Sequence, residues 1–173
     1  MTGAMPAASA RAQQAWQVLH GVPDPEVPAV SVCDLGIVRE VADHGDALEV
    51  VLTPTYSGCP ATEAIERDVC SAIDAAGLGP ARVTLRRAPA WTTDWISAEG
   101  RRKLLDYGIA PPGAVAPAQD AVVRVIGRRA DAVACPRCAS LFTERLSAFG
   151  ATACKALYRC TSCREPFEHF KPI

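Results

Sequence analysis

The sequence predicts an α+β fold in two parts: a small α/β domain with a three-stranded sheet and packed helices, then a compact cysteine-stapled module. Three observations carry this. Two alternating apolar segments flank the turn sequence Asp43-His44-Gly45-Asp46. An apolar stripe at helical spacing, Ile65, Val69, Ile73 and Ala76, follows them. Two Cys-x-x-Cys turns, Cys135-Pro136-Arg137-Cys138 and Cys160-Thr161-Ser162-Cys163, stand 21 residues apart near the end of the chain.

Taken in order, Ala10 to Leu19 reads as a helix with Ala15, Val18 and Leu19 on its apolar side, stopped by Gly21. The following Val22–Pro28 segment holds three prolines, which exclude regular structure and favour an extended path. Ile37–Val41 and Leu48–Leu52 alternate and form a hairpin across the Asp43–Asp46 turn. The loop Thr53-Pro54-Thr55-Tyr56-Ser57-Gly58-Cys59-Pro60 leads into the striped helix. Pro60 suits its first turn, Glu63 and Glu66 complement its positive end, and Gly77 and Gly79 close it. Ala81–Leu85 is the third strand, with Val83 and Leu85 inward and Arg82, Thr84 and Arg86 outward. A helix over Ser97–Tyr107 follows, capped by Ser97 with Glu99 close behind. Residues 110–119 are dominated by Pro, Gly and Ala without periodicity. They divide the chain into a domain at 10–109, a linker at 110–120 and a cysteine module at 121–173, which Val122–Ile126 enters as a strand.

The 173 residues are 49% hydrophobic, enough to bury a core. The net charge of −1 hides an uneven split. Residues 1–120 hold 9 Lys+Arg and 15 Asp+Glu, a net −6, and residues 121–173 hold 9 and 4, a net +5. A basic module on an acidic body could meet nucleic acid or an acidic protein. Residues 1–15 lack the charged start and apolar run of a signal peptide. No apolar stretch approaches the roughly 20 residues that span a membrane. Cysteines at metal spacing fit a reducing compartment better than a secreted disulfide scaffold. The expectation is a soluble cytoplasmic protein.

A Cys-x-x-Cys turn presents two thiolates to one ion, and a second turn completes a tetrahedron. Cys135, Cys138, Cys160 and Cys163 are therefore the expected ligands of a structural zinc in a zinc-ribbon-like module, with an iron–sulfur cluster or disulfides as the alternatives. The spacing lies just beyond the roughly 15–20 residues usual for such pairs, which a longer hairpin absorbs. Cys154 and His169 are alternative ligands; a Cys-x-x-Cys pair closes a knuckle more readily than Cys154 with Cys160. Cys59 sits between Gly58 and a helix start, where free N–H groups and the helix dipole stabilise a thiolate. Read blandly, it is a small buried residue at a tight turn. A thiol hydrolase needs a histidine partner, and His20, His44 and His169 offer no obvious base. Asp24 and Glu26 are either a carboxylate pair for acid–base or metal work or plain turn residues. Cys33 and Cys70 read as structural. Arg86, Arg87, Trp91, Trp95 and Arg101-Arg102-Lys103 read as a solvated face plus core tryptophans. No P-loop, dinucleotide fingerprint, flavin motif or Ser/His/Asp pattern is present, nor the Glu-x-x-His pair of di-iron sites.

Asp24-Pro25-Glu26-Val27-Pro28, Val30-Ser31-Val32, Asp34-Leu35-Gly36-Ile37-Val38 and Thr53-Pro54-Thr55 before Cys59-Pro60 together resemble the MIP18 (DUF59) family. Within it, the chain resembles the PaaD/PaaJ-type accessory proteins of bacterial phenylacetyl-CoA epoxidase (phenylacetate-CoA oxygenase) systems. The loop 53–60, Cys135-Pro136-Arg137-Cys138, Phe149-Gly150, Cys154-Lys155-Ala156-Leu157-Tyr158 and Glu165-Pro166-Phe167 carry that likeness. The resemblance covers nearly everything after the first ten residues. It implies a non-catalytic accessory or maturation factor in aerobic phenylacetate degradation, assisting iron–sulfur cluster or di-iron centre assembly. Cys59 would transiently hold a cluster or iron, with Asp24, Glu26, Thr53 and Thr55 as its supporting loop. The implied partners are subunits of the oxygenase/reductase complex or iron–sulfur assembly proteins, with a homodimer as a further assembly. Two alternatives stand beside it: a structural scaffold without metal transfer, and a nucleic-acid-binding zinc ribbon.

Overall fold

The computed structural model describes residues 9–56, 58, 60–113 and 133–173. They form two compact units, one up to Trp91 and one from Thr92 onward.

In the first unit, helix α1 (Ala10–Leu19) begins at Ser9, whose side chain accepts from the Ala12 N–H. It buries Ala12, Ala15 and Leu19, an i, i+3, i+7 stripe. Strands β1 (Val38–Asp43) and β2 (Leu48–Leu52) pair antiparallel, as the turn sequence predicts. Gly45, at φ +85°, occupies the left-handed position that turn requires. Helix α2 (Thr62–Ala75) buries Ile65, Val69 and Ile73. Ala76, expected on that stripe, is instead the exposed residue that ends the helix. Strand β3 (Ala81–Leu85) then pairs parallel with β2, so α2 is a crossover connection and the sheet order is β1-β2-β3. The central strand is the most buried: Leu48, Val50 and Leu52 are closed to solvent on one face and Val51 on the other. Packing of α1 on β1 and α2, and of α2 on β3, covers the inner face.

The segment between α1 and β1 is irregular but tightly bonded. Ser31 and Asp34 cap one another, each backbone N–H donating to the other's side chain at 3.0 Å. A short bridge joins Pro23 and Ser31. The buried Trp91 indole donates from Nε1 to the Leu35 carbonyl at 2.9 Å, in line with its expected core position.

The second unit opens on a 3₁₀ turn (Thr93–Trp95) and helix α3 (Ala98–Tyr107), which Ser97 caps through the Gly100 N–H. The helix ends on Gly108 at φ +94°. The two-residue strand β4 (Ile109–Ala110) pairs parallel with β7 (Pro166–Phe170). Strands β6 (Lys155–Cys160) and β5 (Thr143–Ser147) complete a four-stranded sheet in the order β4-β7-β6-β5. Ala110 is therefore a buried strand residue packed with Cys135, Ala156, Tyr158, Cys160 and Phe167, where the sequence suggests the first residue of a linker. Composition misleads there because a two-residue strand is too short to show any periodicity. By compactness, α3 and β4 fall with the ribbon sheet, where the sequence groups residues through 109 with the first domain. Most of the expected linker, and the strand expected over Val122–Ile126, lie outside the described residues.

Candidate metal centre and cysteine loop

Two similar turns build the cysteine cluster. In the first, the Arg137 N–H donates to Cys135 Sγ at 3.4 Å and the Ala139 N–H to the Cys135 carbonyl at 2.9 Å. In the second, the Cys163 N–H donates to Cys160 Sγ at 3.4 Å and the Cys160 N–H to the Glu165 carbonyl at 3.0 Å. The second turn joins β6 to β7, so an antiparallel hairpin fixes its position. Ser140 and Ser162 hydroxyls meet at 2.8 Å and tie the two turns together.

The four sulfurs lie within 4.8 Å of one another. Cys135 and Cys163 Sγ are 3.7 Å apart, and Cys138 and Cys160 Sγ 3.6 Å. A tetrahedron with Zn–S bonds of about 2.3 Å has edges of about 3.8 Å. The donors therefore match one tetrahedral ion in number, type and spacing. Their protonation points the same way. The Cys163 backbone N–H, followed by that of Ser162, holds the Cys160 thiol down at about 6. At Cys163 the Glu165 backbone N–H also lowers the pKa, but desolvation and the thiols of Cys138, Cys160 and Cys135 outweigh it and push the group up to about 12. Four thiols this close cannot all ionise alone, and a shared cation removes the conflict.

Ala139 and Arg164, the residues immediately after each Cys-x-x-Cys, take positive φ of 58° and 65°. A side chain costs roughly 1–2 kcal/mol in that conformation, and glycine does not. Ala139→Gly and Arg164→Gly should each stabilise the module by about 1 kcal/mol, less the unfolded-state entropy glycine adds. Chemical denaturation of the zinc-loaded protein measures this. A loss above about 1 kcal/mol would contradict it.

The alternative ligands sit elsewhere. Cys154 is buried with its Sγ 3.0 Å from the Thr152 hydroxyl. His169 is buried in β7 with Nδ1 3.2 Å from the Ala110 carbonyl oxygen, and burial lowers its pKa.

In the first unit, Asp24 is buried and its Oδ1 accepts from the N–H groups of Glu26 and Val27 at 2.9 and 2.8 Å. That carboxylate folds the proline-rich loop, which is the turn role the sequence offered as the plainer reading. Thr53 and Thr55 are buried at the start of the 53–60 loop, and Thr53 Oγ1 has no hydrogen-bond partner among the described residues. Cys59 lies outside the described residues. Of the other two cysteines here, burial and then the Asp34 charge push the Cys33 thiol up to about 12. Burial and then Glu66 also raise Cys70. Both are poor nucleophiles, in keeping with their structural reading.

Basic residues expected on a solvated face are largely engaged. Arg86 pairs with Glu40, Arg82 with Asp46, and Arg102 with Glu99 and Asp106. Arg101 is half-buried and donates to the Pro112 and Thr93 carbonyls. Sequence reasoning missed the ion pair of Lys155 with Glu168 at 2.7 Å, in which the lysine side chain is 4% exposed. The Lys155–Tyr158 run carried no hint of a buried charge, since lysine is ordinarily a surface residue.

A family model for iron–sulfur cluster assembly proteins matches residues 12–85. A second, for the PaaD zinc β-ribbon domain, matches residues 119–171. The chain is 46% identical over 163 residues to an Escherichia coli (strain K12) protein named as the putative D component of 1,2-phenylacetyl-CoA epoxidase, covering 91% of each. The crystal structure of a DUF59 domain of unknown function from Bacillus anthracis matches with a TM-score of 0.51 and 26% identity, over 55% of this chain and 92% of that one. No helix among the described residues is long and apolar enough to cross a membrane. With an assembly-type domain, a four-cysteine ribbon and a full-length relative in agreement, the chain belongs to the PaaD family of phenylacetyl-CoA epoxidase components.

Proposed function

We infer that this chain is a non-catalytic maturation factor of a phenylacetyl-CoA epoxidase system, acting in the cytoplasm on an iron–sulfur cluster or di-iron centre of its partner proteins. The observation that carries the reading is the fusion of an iron–sulfur assembly-type domain to a zinc ribbon in a chain of this family. Cys59 is the thiol that receives and passes on the iron or cluster, which is cargo rather than a resident group. Support comes by contrast: burial raises the thiol pKa of Cys33 and of Cys70, the other cysteines described in the first unit, helped by the Asp34 and Glu66 charges. Asp24 keeps the preceding loop folded, and Thr53 and Thr55 anchor the Cys59 loop at the end of the central strand. Cys135, Cys138, Cys160 and Cys163 hold the structural zinc, which when bound supplies folding free energy to the ribbon and no redox chemistry.

Cys59 should alkylate faster than Cys33 or Cys70 at neutral pH, because reaction follows the thiolate. Cys59→Ser should leave the fold intact, since serine fits the volume and can cap a helix. When it is co-produced with the oxygenase and reductase, those partners should accumulate but lack iron. Elemental analysis of the purified partners reads this directly. The relative's name places it as a component of the epoxidase itself, which favours a second reading, a scaffold without metal transfer. On that reading Cys59→Ser is silent and only deletion of the chain disturbs the complex.

A further inference from the structure

Each Cys-x-x-Cys turn buries its first cysteine and exposes its second. Cys135 and Cys160 are 2 and 0% exposed and pack in the apolar cluster with Tyr158 and Phe167. Cys138 and Cys163 are exposed. All four sulfurs lie within 4.8 Å of one another, so the two exposed cysteines are neighbours across the turns. The Ser140–Ser162 hydroxyl contact at 2.8 Å ties the turns together close in sequence to both. One edge of the sulfur tetrahedron, Cys138–Cys163, is therefore open to solvent, while the opposite edge, Cys135–Cys160, packs in the core of the ribbon.

That arrangement combines the two conditions for oxidation of a thiol. Only the thiolate reacts, and a thiol that holds a metal ion is deprotonated at neutral pH. Access then decides which thiolate is attacked. Cys154, the remaining cysteine described in the second unit, is buried beside Thr152 and meets neither condition. A sulfenic acid formed on one exposed sulfur has the other within reach as its resolving thiolate. In a reducing compartment such a disulfide is transient and serves redox sensing.

We propose that Cys138 and Cys163 form a redox-sensitive edge of the ribbon: a peroxide joins them in a disulfide, and the ribbon gives up its zinc. One exposed thiolate sulfur attacks a peroxide oxygen, the O–O bond breaks, hydroxide leaves, and a sulfenic acid forms. The second thiolate attacks that sulfur, the S–S bond forms and a second hydroxide leaves. The sulfur pair loses two electrons and the peroxide gains them. Closing from within 4.8 Å to an S–S bond of about 2.05 Å draws both sulfurs off the ion. Cys135 and Cys160 alone then supply half of a tetrahedral ligand set. A thiol reductant reverses the bond. The proposal rests on the zinc reading of the four cysteines and is independent of the role of Cys59.

Full-length, zinc-loaded protein should be treated with hydrogen peroxide at about tenfold excess, beside a peroxide-free control. A chromogenic chelator follows the free zinc and peptide mass mapping locates disulfides. Zinc should leave in step with formation of a Cys138–Cys163 disulfide, and dithiothreitol with added zinc should restore the bound ion. Cys59→Ser and Cys154→Ser should release zinc at the wild-type rate. Cys138→His, which keeps four donors, should release it at least about tenfold more slowly. Zinc that stays bound under peroxide, a disulfide that instead includes Cys135 or Cys160, release that depends on Cys59 or Cys154, or Cys138→His releasing as fast as wild type would each overturn the proposal alone. Protein that carries no zinc before treatment would overturn the zinc reading with it. Where Cys138→His fails to hold zinc, the disulfide mapped in the wild-type chain decides.

Discussion

Cys138→Ser should strip the ribbon of its metal and unfold it while the first unit keeps its structure. Cys138 is exposed, so the substitution opens no cavity in the core. The buried ligands Cys135 and Cys160 would confound that reading, because both pack in the apolar cluster with Tyr158 and Phe167. Loss of one thiolate leaves three donors, and apparent zinc-binding energies in zinc-finger peptides of about 10–16 kcal/mol show how much of a small module's fold rests on its ion. Zinc per chain should fall from near one to well below half by elemental analysis. Amide signals of the β5–β7 sheet should collapse toward unfolded values while those of β1–β3 persist. A chelator should reproduce this in the wild-type chain. Cys154→Ser should retain the zinc, because that sulfur sits beside Thr152 and outside the cluster. Full zinc occupancy in Cys138→Ser, or its loss in Cys154→Ser, would show that the ligand set is wrong.

Glu168→Ala should destabilise the second unit by about 3–5 kcal/mol, the usual cost of leaving a buried charge without its partner. Glu168 Oε2 faces the buried Lys155 ammonium at 2.7 Å, while Oε1 accepts from the Ala151 N–H, also at 2.7 Å. One carboxylate thus neutralises a charge and pins the 148–154 loop. A Cβ on Gly150 would come within 2.5 Å of Oε1, so Gly150→Ala should disturb the same contact from the other side. Glu168→Gln, which keeps an acceptor for the loop but loses the charge, should fall between wild type and alanine. Lys155→Met combined with Glu168→Gln should recover much of the loss, since it removes the orphaned ammonium. Denaturant unfolding of the zinc-loaded chain measures all four. A cost below about 1 kcal/mol for Glu168→Ala would mean that water reaches the ammonium.

How much was legible in the sequence follows from the range of the interactions involved. The hairpin β1–β2 was legible because its alternation and its turn are contiguous. The Ile65–Val69–Ile73 stripe was legible because helical periodicity is local. The cysteine turns were legible because two donors three residues apart meet within one turn. In each case the cause spans only a few residues. The sequence left Asp24 with two readings, and only the structure shows that its Oδ1 accepts from the Glu26 and Val27 N–H groups.

By itself, then, the sequence determined the helices and strands up to Tyr107, the pair of cysteine turns, and the resemblance that places the chain in its family. Only the tertiary structure decided that β3 lies parallel to β2, that Ala110 belongs to the ribbon sheet, and that Cys154 stands apart from the four sulfurs. It alone revealed Lys155 as a buried charge. These outcomes depend on which segments distant in the chain come to lie side by side. A lysine reads the same in any sequence, and whether water or a carboxylate meets its ammonium is settled by the strand that packs beside it.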